Sequence, residues 1–409
     1  MDVNSLTSKK TLFLSIIFSV LSVKTLFAAE KSPDDISWIF LIMGLFGGLA
    51  FFLYGLEKMS EGMKKTAGNL MRSILAAFTR NRLVALFIGA FVTMVIQSSS
   101  ATTVMLVSFV QAKLLSFVQS LGIILGADIG TTVTAQLIAF KLTHYSLIMV
   151  IIGFGMRMLG NKSNIRDTGD IILGFGILFF GMKMMSDAMK PIRELGEIVG
   201  LSRGLENPFY GLIIGIVFTA VIQSSAAFVG IVIVLAQQGL VSLEAGIPLI
   251  FGGNIGTCVT AVLACIGASR EAKRVALAHV LFKVAGVMLF IFWIPDFARL
   301  IQAIAGEFDS GVARQIANAH TIFNVSLALI FLPFTDYFSK FIVKILPDKI
   351  EDIKIIPTSW HLDEISMETP ALAIDLVRRE ISGMAELLER MLRAIIVPFI
   401  SDEKWITGK

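Results

Sequence analysis

Two short polar motifs interrupt long uncharged segments of this sequence. Residues 97–100 are QSSS within the run 83–112, and residues 223–226 are QSSA within the run 209–243, and neither run contains Asp, Glu, Lys or Arg. Amide and hydroxyl groups can donate hydrogen bonds to an anion or offer oxygen to a cation, whereas a lipid-facing helix gains nothing from them. We therefore predict that each motif interrupts a helix and lines a binding cavity. The candidate substrate-binding residues are Gln97, Ser98, Ser99, Ser100, Gln223, Ser224 and Ser225.

A second motif, rich in Gly and Thr, follows each polar motif. It is GADIGTT at 126–132 and GGNIGTC at 252–258. Gly allows the backbone to leave helical geometry, and an unwound segment exposes carbonyls and hydroxyls that can hold Na⁺. We therefore predict that the runs 114–140 and 240–267 are also interrupted. The alternative is that Ser, Thr and Gly only permit close helix packing, and four motifs in two matched pairs make that the weaker explanation.

Two ionisable residues stand in apolar segments where a related segment carries Asn. Asp128 corresponds to Asn254 in the second motif, and Lys283 in AHVLFKV corresponds to Asn324 in AHTIFNV. A charge inside a membrane is costly and usually functional. We predict that Asp128 and Lys283 form a pair that Na⁺ can break; the alternative is that they lie apart.

Other reactive residue types in the apolar segments are interpreted as structural. His279 and His320 are expected to pair with backbone carbonyls at helix interfaces. Cys258 and Cys265 lie seven residues apart in one apolar segment, and a helix separates them too far for a disulfide. Because the sequence offers neither a nucleophile–base pair nor a cluster of metal ligands, we expect no enzyme activity and no cofactor other than a coupling ion.

The polar motifs belong to an internal duplication. A shift of 126 residues aligns 81–135 with 207–261 without a gap, and 22 of the 55 pairs are identical. Fixed-period self-similarity of this kind indicates two copies of one structural unit.

The orientation of the two copies depends on how the run 83–112 is threaded. As one straight helix its 30 residues would be about 45 Å long, against about 30 Å for the hydrocarbon core. If the run folds back as a re-entrant hairpin, the copies are inverted; if it crosses the membrane, they are parallel. The Lys and Arg of the loops fit both arrangements. We prefer the hairpin, because two half-helices with a polar tip suit an element surrounded by protein.

The composition places these motifs in a polytopic membrane protein. The chain has 409 residues, 55% hydrophobic and only 16% charged, with a mean hydropathy of +0.80. Its net charge of +4 lies mostly in loops and tail, and no basic stripe with exposed aromatics suggests nucleic-acid binding. We therefore predict an all-α fold in the lipid bilayer.

The predicted organisation follows the apolar segments. Residues 1–29 are a signal peptide, or alternatively an uncleaved anchor. Transmembrane repeats are expected at 36–160 and 170–295, a final transmembrane segment at 296–340, and a cytoplasmic tail at 341–409. An amphipathic helix from about 371 to 395 carries an apolar seam that it cannot bury alone. It is expected to pair with its own copy in a homodimer, with the membrane domain or with a partner.

The duplicated QSS motif, each copy followed by G-x-[DN]-I-G-T, resembles the type II sodium/phosphate cotransporter family over about residues 40–335. The resemblance implies Na⁺-coupled uptake of inorganic phosphate across the cytoplasmic (inner) membrane. It also implies an inverted-repeat fold with two re-entrant hairpins and with substrate held between the QSS tips. A tail domain similar to phosphate-uptake regulators is implied as well, and this chain contains only its beginning.

Several positions depart from the family pattern. Ala226 replaces a fourth serine, and Lys283 replaces the usual Asn of A-H-x-x-F-N.

The candidate Na⁺-binding residues are Asp128, Thr131, Thr132, Asn254, Thr257 and Thr103, and the candidate coupling residues are Lys283 and Asn324.

Three other functions are alternatives to phosphate symport. The same architecture could carry another oxyanion or a small carboxylate with Na⁺, or form a passive anion channel. An intramembrane enzyme using Ser99 as nucleophile lacks a partnered Lys or His at helical spacing.

Overall fold

The computed structural model describes residues 38–67, 81–140, 142–193, 207–306, 310–348 and 370–400, and these contain helices and turns without a β-strand. The chain divides into two compact units, 1–348 and 349–409. The predicted signal peptide or anchor lies outside the described residues, as do 349–369 and 401–409 of the predicted tail.

Within the described residues, six helices belong to the first half of the larger unit. They are α1 Trp38–Thr66, α2 Arg82–Ile96, α3 Ser99–Gln111, α4 Phe117–Ile138, α5 Ser146–Leu159 and α6 Ser163–Arg193. A single 3₁₀ turn, Thr143–Tyr145, leads into α5.

Eight helices follow in the second half. They are α7 Pro208–Ile222, α8 Ser225–Gln237, α9 Leu243–Gly256, α10 Cys258–Ala264, α11 Arg270–Phe290, α12 Ile294–Gly306, α13 Val312–Phe331 and α14 Thr335–Ile345. The 3₁₀ turns Ile291–Trp293 and Leu332–Phe334 join α11 to α12 and α13 to α14.

The apolar helices fall into two classes, those long enough to cross a membrane and those too short to do so. Within the described residues, six segments are long and apolar enough to cross a membrane: Trp38–Thr66, Phe117–Ile138, Ser163–Pro191, Leu243–Ala264, Arg270–Gly306 and Val312–Ile345. By contrast α2, α3, α7 and α8 have only 13 to 15 residues. At 1.5 Å per residue each is about 20–23 Å long, which is too short to cross about 30 Å of hydrocarbon alone.

Equivalent residues of the two copies begin equivalent helices. Asn81 and Asn207 precede α2 and α7, and each side chain accepts a hydrogen bond from a first-turn N–H. Ser116 and Ser242 cap α4 and α9 in the same way. Each cap satisfies a backbone donor that has no partner inside the helix, so the duplicated sequence specifies the same starts twice.

Glycines bring helices within each copy into close contact. The Gly126 Cα of α4 faces the Leu86 carbonyl of α2, and the equivalent Gly252 of α9 faces the Leu212 carbonyl of α7. An added Cβ would collide with the backbone in both places, so Gly permits a spacing that Ala would not.

This packing corrects one prediction and refines another. The predicted interruption at GADIGTT is wrong, because α4 runs unbroken from Phe117 to Ile138. At GGNIGTC the helix does break, since α9 ends at Gly256 and α10 begins at Cys258 after a turn at Thr257. The glycines of the first copy therefore serve helix contact rather than unwinding.

Two helices are longer than one membrane crossing requires, and one is short. α1 has 29 residues and α6 has 31. Ion pairs three residues apart, which stabilise solvated helical turns, are Lys58 with Glu61 at 3.1 Å and Lys190 with Asp187 at 2.6 Å. α5 has only 14 residues.

The smaller unit contains the helix α15, Pro370–Ile400. It covers the predicted amphipathic helix and extends it at its end. Its seam residues Ile381, Met384 and Leu388 are about 60% exposed within the unit. What covers this seam stays a prediction.

Candidate transport site

The two QSS motifs have the same local structure. Gln97 ends α2 with φ 61°, and Gln223 ends α7 with φ 57°, so both adopt the left-handed conformation. The next residue begins a new helix: the Ser98 hydroxyl accepts a hydrogen bond from the Ala101 N–H, and Ser224 does the same for Ala227, both at 3.2 Å. The predicted helix breaks at both motifs are confirmed.

The glutamines of the two motifs differ in their surroundings. Gln97 is buried; its amide donates to the Met94 carbonyl, and its Oε1 accepts from the Thr134 hydroxyl. Gln223 is exposed, and the hydroxyl of Thr260, the counterpart of Thr134, is buried with no partner in the described part of the chain. The two half-sites are therefore unequal.

Serine hydroxyls at the two helix starts are available to a ligand. Ser99, Ser100 and Ser225 are 2%, 6% and 7% exposed, and their hydroxyls donate to no residue in the described part of the chain. They lie in the first turns of α3 and α8, where free backbone N–H groups favour negative charge. The arrangement suits an oxyanion.

A hydroxyl pair that the sequence analysis did not predict closes the first break. The Thr93 hydroxyl of α2 donates to the Thr102 hydroxyl of α3 at 2.8 Å, and both side chains are fully buried. In the second copy Phe228 stands at the position of Thr102, and the Thr219 hydroxyl has no partner among the residues that the structure describes. Two threonines flanking the break were the signal available in the sequence.

The helices that follow the QSS motifs pack across the boundary between the copies. α3 contacts α10 and α11 of the second half, while α8 contacts α4 of the first half. Each QSS helix therefore lies against a helix that carries or follows the Gly–Thr motif of the other copy.

Lys283 joins the two Gly–Thr motifs. Its Nζ lies 2.8 Å from Asp128 Oδ1 and 3.4 Å from Asn254 Oδ1. The first contact is an ion pair by distance, but Oδ1 lies outside hydrogen-bond geometry, so we treat the attraction as electrostatic. Lys283 is 2% exposed and Asp128 4%. A buried charge needs such a partner, and the structure brings the two predicted charges together.

The histidines differ from their predicted roles. His279 Nδ1 lies 3.3 Å from the Thr103 hydroxyl, and its Nε2 has no partner among the described residues. Both ring nitrogens of His320 also lack a described partner, although the ring is 2% exposed. The predicted bonds to backbone carbonyls are therefore wrong, and the charges of Asp128 and Lys283 act on both rings electrostatically.

The threonine candidates lie near the pair but bond mainly within their own helices. The Thr132 and Thr257 hydroxyls donate to the carbonyls of Ile129 and Asn254, both at 2.7 Å. Thr131 is buried, one turn from Asp128. Asn324 is buried as well and donates to the His320 carbonyl at 2.8 Å. The roles of the threonines as Na⁺ ligands and of Asn324 in coupling stay predictions.

The sequence matches the family model described as Na⁺/Pi-cotransporter over residues 51–187 and 193–306. The chain belongs to this family. It is accordingly a multi-pass membrane protein of a transporter family and not an enzyme.

Individual relatives extend the comparison. The chain is 33% identical to the "Uncharacterized protein YqeW" of Bacillus subtilis over 303 residues, which are 74% of this chain and 97% of that protein. It is 27% identical to the "Putative inorganic phosphate export protein YjbB" of Escherichia coli K12 over 356 residues. That match covers 87% of this chain but only 64% of the relative's length.

A more distant similarity reaches the mammalian transporters. The chain is 22% identical over 390 residues to the "Sodium-dependent phosphate transport protein 2A" of Rattus norvegicus, covering 61% of this chain and 60% of that protein. No solved structure matches.

Proposed function

We propose that this family member carries inorganic phosphate across the cytoplasmic membrane and couples its movement to Na⁺. The observation that carries the proposal is the matched pair of broken helices, each with a left-handed Gln followed by buried serines at a helix start. Two half-helices meeting at a polar tip suit a re-entrant hairpin, and two such hairpins in inverted copies would present helix N-termini to one central anion.

The phosphate is held by hydroxyls and backbone amides rather than by fixed cationic side chains. Ser99, Ser100 and Ser225 supply hydroxyl donors, and the first turns of α3 and α8 supply N–H groups. Gln97 and Gln223 shape the two breaks. Hydrogen bonds to a charged ligand contribute about 1.5–3 kcal/mol each, so a few suffice for binding.

Coupling uses the charges between the two copies. Na⁺ and the Lys283 ammonium compete for the Asp128 carboxylate, and Asn254 Oδ1 is also within reach of the ammonium. Thr103 and Thr131 are the candidates for further oxygen ligands. Oxygen ligands of this kind suit a hard cation. When Na⁺ binds the Asp128 carboxylate, the Lys283 ammonium must move away. Because that ammonium contacts both copies, Na⁺ binding then changes how the two copies are packed.

The direction of net transport is a separate question, and export is the second candidate. The relative from Escherichia coli that matches 87% of this chain bears the name of a phosphate export protein, whereas the rat relative is named for sodium-dependent phosphate transport. A carrier runs in the direction that its gradients impose, so uptake and export differ in conditions rather than in architecture.

The test is transport of radiolabelled phosphate by the purified protein in proteoliposomes. Na⁺ gradients of either sign are imposed at clamped voltage, and K⁺ gradients are the control. Phosphate should accumulate on the side toward which Na⁺ flows. Arsenate should compete, while sulfate and succinate should not. Accumulation insensitive to Na⁺ would overturn the coupling, competition by succinate would favour a carboxylate carrier, and equilibration without accumulation would indicate a channel.

A further inference from the structure

A pocket with apolar and polar lining residues lies between α4, α12 and α13, away from the QSS motifs. Its volume is about 450 Å³, which is room for about 15 water molecules at about 30 Å³ each. One wall is apolar, formed by Ile304 and Ile322. The polar lining residues are Gln136, Ser310, Arg314, Asn318 and Thr321.

Arg314 provides a positive charge without an acidic partner in the described part of the chain. Its Nη1 donates to Gln136 Oε1 at 2.8 Å and to the Gln136 carbonyl at 3.2 Å. Its guanidinium carbon lies 4.1 Å from the centre of the Phe140 ring. These contacts fix the plane of the group, while Nη2 and Nε donate to no described residue. Guanidinium donors held this way match the oxygens of phosphate.

The neighbouring amides leave a further donor free. Gln136 Nε2 donates to Asn318 Oδ1 at 3.1 Å and to the Thr321 hydroxyl at 2.9 Å. Because Asn318 accepts through its oxygen, its NH₂ group remains available, and it donates to no described residue. Within the described residues, free N–H donors and a guanidinium without an acidic partner favour an oxyanion over a cation.

Two helices connect this cavity with the central charges. α4 and α13 pack against each other. Gln136 lies eight residues beyond Asp128 on α4, about 12 Å along the axis, and Arg314 lies six residues before His320 on α13, about 9 Å. The cavity therefore lies at one end of the helix pair whose middle borders the Asp128–Lys283 pair.

We propose that this cavity is an anion vestibule, in which Arg314 and Asn318 bind inorganic phosphate before it reaches the central site. The inference rests on the proposed phosphate transport and adds a second binding site on one face of the membrane. The phosphate group of a lipid has the same chemistry, so the experiment separates the two sources. It also separates binding from a purely structural role of Arg314 in joining α4 to α13.

The decisive variant is Arg314→Gln, with Arg314→Lys as the conservative variant. Arg299→Gln is the matched control, because Arg299 is 76% exposed in its side chain and pairs with Asp296 on the same helix. Phosphate transport is measured in right-side-out and in inside-out vesicles over a range of ionic strength. We expect Arg314→Gln to raise KM about tenfold with phosphate on one face only, with kcat changed less than about twofold. The KM of this variant should also lose its dependence on salt, whereas Arg314→Lys keeps most of both properties.

The contrary results are distinct. An equal rise in KM from both faces, or a fall in kcat together with a lower unfolding temperature, would show a structural role and overturn the vestibule. Proteoliposomes with and without anionic phosphatidylglycerol test whether a lipid phosphate group occupies the pocket. A KM that depends on lipid composition and not on residue 314 would also overturn the vestibule. Wild-type protein that does not transport phosphate would refute the proposed function, whereas normal kinetics of Arg314→Gln beside an active wild type would refute the vestibule alone.

Discussion

Lys283 Nζ lies 2.8 Å from Asp128 Oδ1, and the two residues belong to opposite halves of a duplicated chain. The same nitrogen lies 3.4 Å from Asn254 Oδ1, the duplicated counterpart of Asp128. One ammonium group therefore contacts both Gly–Thr motifs in a buried position. A charge so placed must influence both the stability of the site and its affinity for cations.

A double-mutant cycle tests this pair. Asp128→Asn and Lys283→Asn each leave one buried charge unpaired, which costs about 3–5 kcal/mol, so each should lower Na⁺-dependent phosphate transport and the unfolding temperature. The double variant removes both charges and should be less impaired than either single variant.

The control for the cycle is the exposed pair of Asp187 and Lys190, whose removal should change stability by no more than about 1 kcal/mol. Unfolding in detergent and initial rates in proteoliposomes provide the two readouts. Additive losses in the Asp128→Asn, Lys283→Asn double variant would show that the charges act independently.

The buried serines of the QSS motifs should determine phosphate affinity. Ser99→Ala and Ser225→Ala each remove a hydroxyl donor to a charged ligand, worth about 1.5–3 kcal/mol, and should raise the KM by about 10- to 100-fold while the protein still inserts. Ser108→Ala is the control, since Ser108 is exposed on α3 and its hydroxyl donates a hydrogen bond to the Val104 carbonyl of the same helix. Normal KM values in both variants would remove these serines from the site.

Cysteine labelling tests the re-entrant hairpin. With Cys258 and Cys265 replaced, single cysteines at Asn81 and Lys113 should react with impermeant reagents from the same face, because α2 and α3 return to it. A cysteine at Asn207 should react from the opposite face, since the copies are then inverted. Reaction at Asn81 and Lys113 from opposite faces would mean that α2 and α3 together cross the membrane.

The left-handed glutamines can be separated into backbone and side-chain roles. Gln97→Gly and Gln97→Ala lose the same amide, but only Gly adopts φ near 61° without strain. Gln97→Gly should therefore be more stable than Gln97→Ala by about 1 kcal/mol, which is measured as a higher unfolding temperature. The same order is expected at Gln223, with φ 57°. An Ala variant as stable as the Gly variant would contradict the left-handed conformation.

Close helix contact predicts different outcomes for two glycines. Gly126→Ala places a methyl group against the backbone of α2 and should destabilise the protein by about 1–3 kcal/mol. Gly155→Ala is the control, because no atom lies within 4 Å of its added Cβ, and it should be neutral or slightly stabilising. Loss of transport in Gly126→Ala at unchanged stability would instead support approach of a ligand at Gly126.

The sequence alone determined those features that depend on neighbouring residues. Uncharged apolar runs identified a membrane protein, a constant shift revealed the duplication, and QSS located both helix breaks. A helix break followed by Ser can be predicted from sequence, because a left-handed residue and an N-cap involve only a few adjacent positions. The family assignment rested on the same local motifs and was confirmed.

Only the tertiary structure decided what depends on a distant partner. Whether GADIGTT unwinds or packs was settled by α2, whose carbonyls approach Gly126 and Gly130 and leave α4 helical. The partner of Asp128 was an open question in the sequence, and the charge of Arg314 beside Gln136 was not anticipated. The physical reason is the same in each case: residue type states what a group can bind, but packing between remote helices determines which group is within reach.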